Sequence, residues 1–262
     1  MKKTDKIDKK QGKGDAPGDL DGKGRAQKKQ RAAKGAFKAP GRAGPENTAA
    51  PGPEQRETAA RVLSLLKIRY PAPQTHLRAR NPWELLAATM LAAQCTDARV
   101  NMVTPALFAR WPDPAAMAGA EPAAVEVYVR STGFFRNKAK NLVGAARKIM
   151  ESYDGRVPSS MAELLTLPGV ARKTANVVLF GAFGINEGLA VDTHVGRIAH
   201  RLGLTSGRDP LRSEKELMKL FPREEWGDIN HRLVWFGREV CSARSPACQR
   251  CEMAQFCPKN EM

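Results

Sequence analysis

Four of the five cysteines, Cys241, Cys248, Cys251 and Cys257, fall within seventeen residues in the pattern C-x6-C-x2-C-x5-C. Four thiolates so spaced can wrap one metal centre, with the close x2 pair anchoring the loop. Spacing leaves the choice between a tetrahedral zinc and a 4Fe–4S cluster open, with free buried cysteines as the third reading. A second group of residues could do covalent chemistry. Lys173 ends the stretch Leu-Pro-Gly-Val-Ala-Arg-Lys, and Asp192 stands nineteen positions beyond it. A tight hairpin followed by a helix would put Lys173 in a first helical turn. There the positive end of the helix dipole disfavours an ammonium and favours a nucleophilic amine. The backbone N–H groups of Gly169, Val170 and Ala171 would point at a phosphate. Each feature also has a plainer reading. Pro-Gly before a helix is a common connection, Lys173 could be one more phosphate contact, and Asp192 could be the N-cap of the next helix. A carboxylate held rigidly as a cap remains usable in catalysis, so those last two roles are compatible.

Other residues are ambiguous in the same way. Gln94 lies at the end of a very apolar segment and could fill a gap in a base stack or satisfy loop backbone. Phe134 and Phe135 could wedge between bases, although spacing favours their being core. Arg244, on the first inter-cysteine loop, and Arg250, beside Cys251, suit phosphate contacts or plain solvation. Cys95 reads as a small buried hydrophobe.

The elements that must position these groups are helical. Ala59, Val62, Leu63, Leu65 and Leu66 form an apolar stripe at helical spacing. Asn81-Pro82-Trp83-Glu84 supplies an N-cap, a proline at the first helical position and a glutamate at the capping-box position. The helix after it, to about Gln94, is apolar nearly all round and is expected to be buried. Thr96 or Asp97 starts another, ending near Trp111-Pro112, and Asp113-Pro114 and Glu121-Pro122 open two short ones. A basic helix is expected from Asn137 to about Ser152. Ser160 with Glu163 opens the short helix before the hairpin, and Thr174 to Phe183 follows the hairpin. Later helices are expected over Val191–Leu202, Glu214–Phe221 and Trp226–Val240. No alternating pattern of useful length appears, so the expected fold class is all-α.

The 262 residues carry a formal net charge of +16. Residues 1 to 45 hold 14 Lys or Arg against 5 Asp, a net of +9, which leaves +7 on the remainder. The globular part is therefore basic in its own right, and a polyanion is the natural partner because neutralising phosphates releases counterions. Residues 1–52 contain almost no large apolar side chains and cannot offset their ordering entropy by burial. They are expected to be a disordered basic tail, either a solubilising charge run or a DNA tether. The longest uncharged run in the apolar centre, Leu85–Thr96, is too short to span a bilayer. The N-terminus lacks an apolar signal segment, and its Asp content and lack of Ser argue against a mitochondrial presequence. The cysteine pattern fits a reducing compartment. The expected setting is the cytoplasm, in association with the nucleoid, or the nucleus in a eukaryote.

From about Glu54 to the C-terminus the motifs resemble the helix-hairpin-helix DNA glycosylases, in particular the iron–sulfur endonuclease III family. The hairpin with its lysine, Val191-Asp-Thr-His-Val and the four cysteines occur together and in the family's order. The resemblance resolves the metal question in favour of a 4Fe–4S cluster. It implies a six-helix barrel at about 75–185 carrying the hairpin. A cluster lobe would join a first helix, 53–74, to residues 186–262, with DNA held between the lobes. It further implies a monomeric, bifunctional glycosylase and AP lyase that removes oxidised pyrimidines from double-stranded DNA and acts at abasic sites. Lys173 would be the nucleophile and Asp192 the supporting carboxylate, while Gln94 and Phe134 would enter the space left by the flipped base. The competing readings are a monofunctional mismatch glycosylase and a non-catalytic DNA-binding module. Two departures stand out: Ala171 replaces the usual glycine, and Phe134 replaces a usual aliphatic residue. Ala171 costs little if it is already helical and strains the hairpin if it needs positive φ.

Overall fold

The computed structural model describes residues 50–260, so the expected tail lies outside the described residues apart from its last three. Among the described residues there are helices, turns and no strand. Helix α1 spans Pro53–Arg69, α2 Pro82–Leu91, α3 Asp97–Arg110, α4 Pro114–Ala118 and α5 Pro122–Val129. Then come α6 at Phe135–Ser152, α7 at Met161–Leu164 and α8 at Arg172–Phe183. The last three are α9 at Thr193–Arg201, α10 at Pro210–Leu220 and α11 at Trp226–Glu239. None is long and apolar enough to cross a membrane.

The apolar residues sort into two cores. One gathers Leu86, Leu91, Leu107, Leu142 and Leu179 from α2 to α8. The other joins Val62 and Leu66 of α1 to Ile198, Leu217 and Phe236 of α9 to α11. Helix α2 shows how sequence becomes position. Ten residues are too few for a stable helix in water, but eight of these ten are buried, and that burial holds the helix in place. Its N-cap works as expected, with the Glu84 N–H donating to the Asn81 side chain at 2.9 Å. The Glu84 carboxylate, however, accepts from the Arg80 N–H at 2.8 Å and pairs with the Arg80 guanidinium. The reciprocal half of the capping box has thus moved one residue upstream.

Several boundaries differ from expectation, each for a local reason. Helix α2 stops at Leu91, short of Gln94, because Gln94 takes a left-handed backbone with φ 53°. Helix α6 begins at Phe135, directly after a left-handed Phe134 with φ 47°. Helix α10 starts four residues earlier than expected, at Pro210. Asp209 caps it by accepting from the Arg212 N–H at 2.9 Å, the same Asp-Pro signal read correctly at residues 113–114. Phe134 is not core: it is 65% exposed. Phe135, half-buried, packs against the first core instead.

The two cores meet along α8 and α11. A Cβ on Gly227 would lie 2.1 Å from the Phe180 ring, so only glycine lets α11 approach α8 this closely. Two ion pairs reinforce the seam, Arg172–Glu214 at 2.8 Å and Arg238–Asp97 at 2.7 Å.

Candidate active site and cysteine cavity

The hairpin joins α7 to α8. Its reversal depends on Gly169 at φ +79°, where a Cβ would also come within 2.8 Å of the Asn141 side chain. Gly169→Ala is therefore expected to destabilise the fold by at least about 1–2 kcal/mol from the left-handed backbone alone. Chemical denaturation of the folded variant gives that number, and the Asn141 contact should push it higher.

The Val170 N–H donates to the Leu167 carbonyl at 3.1 Å and closes the turn. It is consequently spent inside the hairpin, whereas the Gly169 and Ala171 N–H groups have no partner among the described residues. Ala171 has φ −101° and ψ 168°. It is neither helical nor left-handed but the extended N-cap residue of α8, a conformation that alanine adopts without strain. Among the described residues no side chain caps α8, so its first-turn amides have no side-chain acceptor.

Lys173 is the second residue of α8; it is exposed, and its ammonium has no hydrogen-bond or ion-pair partner among the described residues. The turn beneath it is tied down from another helix. The buried Glu214 carboxylate of α10 accepts from Arg172 Nε and from Asn176 Nδ2, each at 2.8 Å. The segment leading to Asp192 passes over the same spot, since a Cβ on Gly188 would lie 2.6 Å from Asn176 Oδ1 and 2.3 Å from Glu214 Oε1. Sequence reading missed Glu214 entirely. The only trace was the i, i+4 spacing of Arg172 and Asn176, which does not point to a partner 38 residues further on.

Asp192 is the N-cap of α9. Its Oδ1 accepts from the His194 N–H at 2.8 Å and the Val195 N–H at 2.9 Å. Half-buried, it keeps Oδ2 without a protein partner among the described residues. Lys173 and Asp192 form no ion pair with each other. Burial lowers the pKa of His194, with the positive charges of Arg197 and Arg238 working in the same direction against Asp192. A neutral His194 is consistent with its Nδ1 lying 3.2 Å from Arg197 Nη2, a group that can only donate. Gln94 and Phe134 are both exposed and both left-handed, on two separate loops of the first core.

The four cysteines line one cavity together with Arg201, Phe236 and Val240. Arg201, only 4% exposed, organises the Cys241–Cys248 loop. Its Nη1 donates to the Ser242 carbonyl at 2.7 Å and lies 3.3 Å from Cys241 Sγ, while Nη2 reaches the Ala243 carbonyl at 2.9 Å. Its Nε is buried without a hydrogen-bond partner among the described residues. Burial pushes the Cys251 and Cys257 thiols above the ordinary thiol range. No three His, Cys, Asp or Glu side chains among the described residues are placed to hold a single metal ion. Arg244 projects from this loop and is exposed; Arg250 reaches back to the Glu239 carbonyl at 3.4 Å. Cys95 is half-buried against the first core, less enclosed than expected.

A hairpin with an open helix N-terminus, a free lysine beside it and a four-cysteine loop define a helix-hairpin-helix protein. Residues 87–223 match the HhH-GPD superfamily of base excision DNA repair proteins, and the chain belongs to that family. It is 54% identical over 204 residues to endonuclease III of Synechocystis sp. (strain ATCC 27184 / PCC 6803 / Kazusa), covering 78% of this chain and 93% of that one. To endonuclease III of Escherichia coli (strain K12) it is 39% identical over 200 residues, covering 76% and 94%. Among solved structures, a trapped covalent endonuclease III–DNA intermediate superposes with a TM-score of 0.75 at 42% identity, covering 78% of this chain and 96% of that one.

Proposed function

We propose that this protein is a bifunctional base-excision enzyme, a DNA glycosylase for oxidised pyrimidines with AP lyase activity. The observation that carries the reading is the unpartnered Lys173 on the uncapped first turn of α8. It is accompanied by Asp192, fixed as a cap on a segment that packs against the same helix. The similarity to endonuclease III relatives and to a DNA-trapped structure supports it.

A damaged base is unreachable inside a duplex, so the nucleotide must first be extruded. That costs a few kcal/mol, and least for a poorly stacked base. The Gly169 and Ala171 amides and the first turn of α8 grip a backbone phosphate, while Gln94 and Phe134 support the gap. Arg244 offers a further phosphate contact. The neutral Lys173 amine attacks C1′ of the sugar, and the C1′–N bond breaks with its electron pair leaving on the base. Asp192 Oδ2 faces the positive charge that develops on the sugar and receives the amine proton. The ring opens to a Schiff base between Lys173 and C1′. Loss of the C2′ proton then expels the 3′ phosphate oxygen by β-elimination, and water hydrolyses the imine.

Cys241, Cys248, Cys251 and Cys257 are the proposed ligands of a 4Fe–4S cluster. The donor set fits: four thiols face one cavity, and the unpartnered Arg201 Nε lies at its wall. When bound, the cluster would serve as a structural clamp on the loop that presents Arg244. Purified protein is expected to be brown and to contain iron; colourless protein with stoichiometric zinc would overturn the assignment. The proposed partner is double-stranded DNA with a damaged base or an abasic site, bound by a monomer.

The test is borohydride reduction in the presence of DNA containing thymine glycol or an abasic site, with a covalent adduct expected on both. No adduct on either would leave a monofunctional enzyme or a non-catalytic binding module.

A further inference from the structure

Lys138 is a buried lysine for which the mechanism above has no use. It sits in the first turns of α6, is 7% exposed, and has no carboxylate partner among the described residues. Its ammonium donates to two backbone carbonyls: Leu91 at the end of α2, at 2.8 Å, and Thr132 at 2.7 Å. Burial lowers its pKa, with the only opposing influence a weaker one from Cys95. Desolvating a lysine is costly unless its hydrogen bonds are made, so the site needs these two contacts.

The two carbonyls begin the two loops that carry Gln94 and Phe134. Leu91 lies three residues before Gln94, and Thr132 two before Phe134. Each loop contains a left-handed, non-glycine residue, Gln94 at φ 53° and Phe134 at φ 47°, and both side chains are exposed. Left-handed backbone at such residues is unfavourable and persists only where the surroundings enforce it. Lys138 is also bound to the second loop through its own backbone, since its N–H donates to the Phe134 carbonyl at 3.0 Å. One side chain therefore ties both loops, and no other hydrogen bond from a described side chain bridges them.

We infer that Lys138 is a positioning residue that locks the Gln94 and Phe134 loops into one preformed unit, so that both side chains enter the DNA gap together. The inference rests on the proposed gap-filling role of Gln94 and Phe134. It gives Lys138 a specific duty in duplex recognition, because a single-stranded abasic site has no stack to reopen and needs only the lysine chemistry.

The experiment compares Lys138→Met with wild type on abasic-site DNA, duplex and single-stranded, and measures 2-aminopurine fluorescence opposite the lesion. Duplex cleavage is expected to fall about tenfold or more, the scale of losing a base–aromatic contact. Single-strand trapping should fall far less, and the 2-aminopurine signal of insertion should drop. A double-mutant comparison adds a readout that a merely structural residue would not move. Gln94→Ala and Phe134→Ala should be strongly non-additive on duplex DNA in the wild type and close to additive with Lys138→Met. Unchanged duplex cleavage, or equal losses on duplex and single strand in a folded variant, would overturn the assignment. Where Lys138→Met fails to fold, Lys138→Gln, whose stem is one atom too short to keep both carbonyl contacts, is held to the same criteria. If Phe134→Ala and Gln94→Ala leave the 2-aminopurine signal unchanged, the gap-filling role itself fails, whatever Lys138 does.

Discussion

Lys173→Ala is expected to abolish borohydride trapping on abasic-site DNA and to slow strand cleavage by on the order of 10³-fold or more, as loss of a nucleophile does. Its stability should barely change. The side chain is exposed and unpartnered, alanine is a good helix former, and such surface changes fall within about 0.5 kcal/mol. Binding to a reduced, unreactive abasic site should persist, because the proposed phosphate grip is made by backbone amides. Lys173→Arg sharpens the point. It preserves the positive charge at the hairpin but removes the amine that can form a Schiff base. If Lys173 were only a phosphate contact, the arginine variant would cleave almost normally; the proposed chemistry predicts no adduct. Single-turnover cleavage and denaturing gels of the reduced complex distinguish these outcomes.

Asp192→Asn and Asp192→Ala should separate the capping role of this carboxylate from its proposed catalytic one. Asn is as good an N-cap as Asp, so its side-chain oxygen can accept from the His194 and Val195 amides as Asp192 Oδ1 does now. The folded state should retain its stability. The negative charge proposed to face the sugar is gone, and removal of one preorganised electrostatic contact costs about 10²–10³-fold in rate. Trapping should still reach completion, slowly, because Lys173 remains. Asp192→Ala loses the cap as well and should additionally cost about 0.5–2 kcal/mol of stability. Equal rates for the asparagine variant and wild type would reduce Asp192 to a structural cap.

The local signals in the chain were legible where physics is local. Asn81, Ser160 and Asp192 accept capping hydrogen bonds from two or three residues away, and all three cap where expected. Gly169 was readable because a hairpin reversal leaves few choices of residue. Long-range ties were not readable. Glu214 meets Arg172 across 42 positions, and Lys138 meets Leu91 across 47, and nothing in either neighbourhood announces the other. Phe134 misled because an aromatic pair after a glycine looks like core. Its exposure follows from a left-handed backbone that spacing does not encode. The hairpin amides were assigned as a set of three, but the turn uses one of them to close itself, a choice set by backbone geometry and invisible to composition.

The pairing of α1 with the last helices has a consequence in time. Val62 and Leu66 complete a core whose other members lie in α9 to α11, so α1 emerges from the ribosome roughly 160 residues ahead of the helix it must cover. At about 5–20 residues per second of synthesis, its apolar stripe waits on the order of ten to thirty seconds for a partner. The helices between, α2 to α8, form their own core from contiguous chain and can close during that interval. The seam at Gly227 and Phe180 is then made last, and the turn that carries the hairpin lysine gains its brace from Glu214, through Arg172 and Asn176, only late in synthesis.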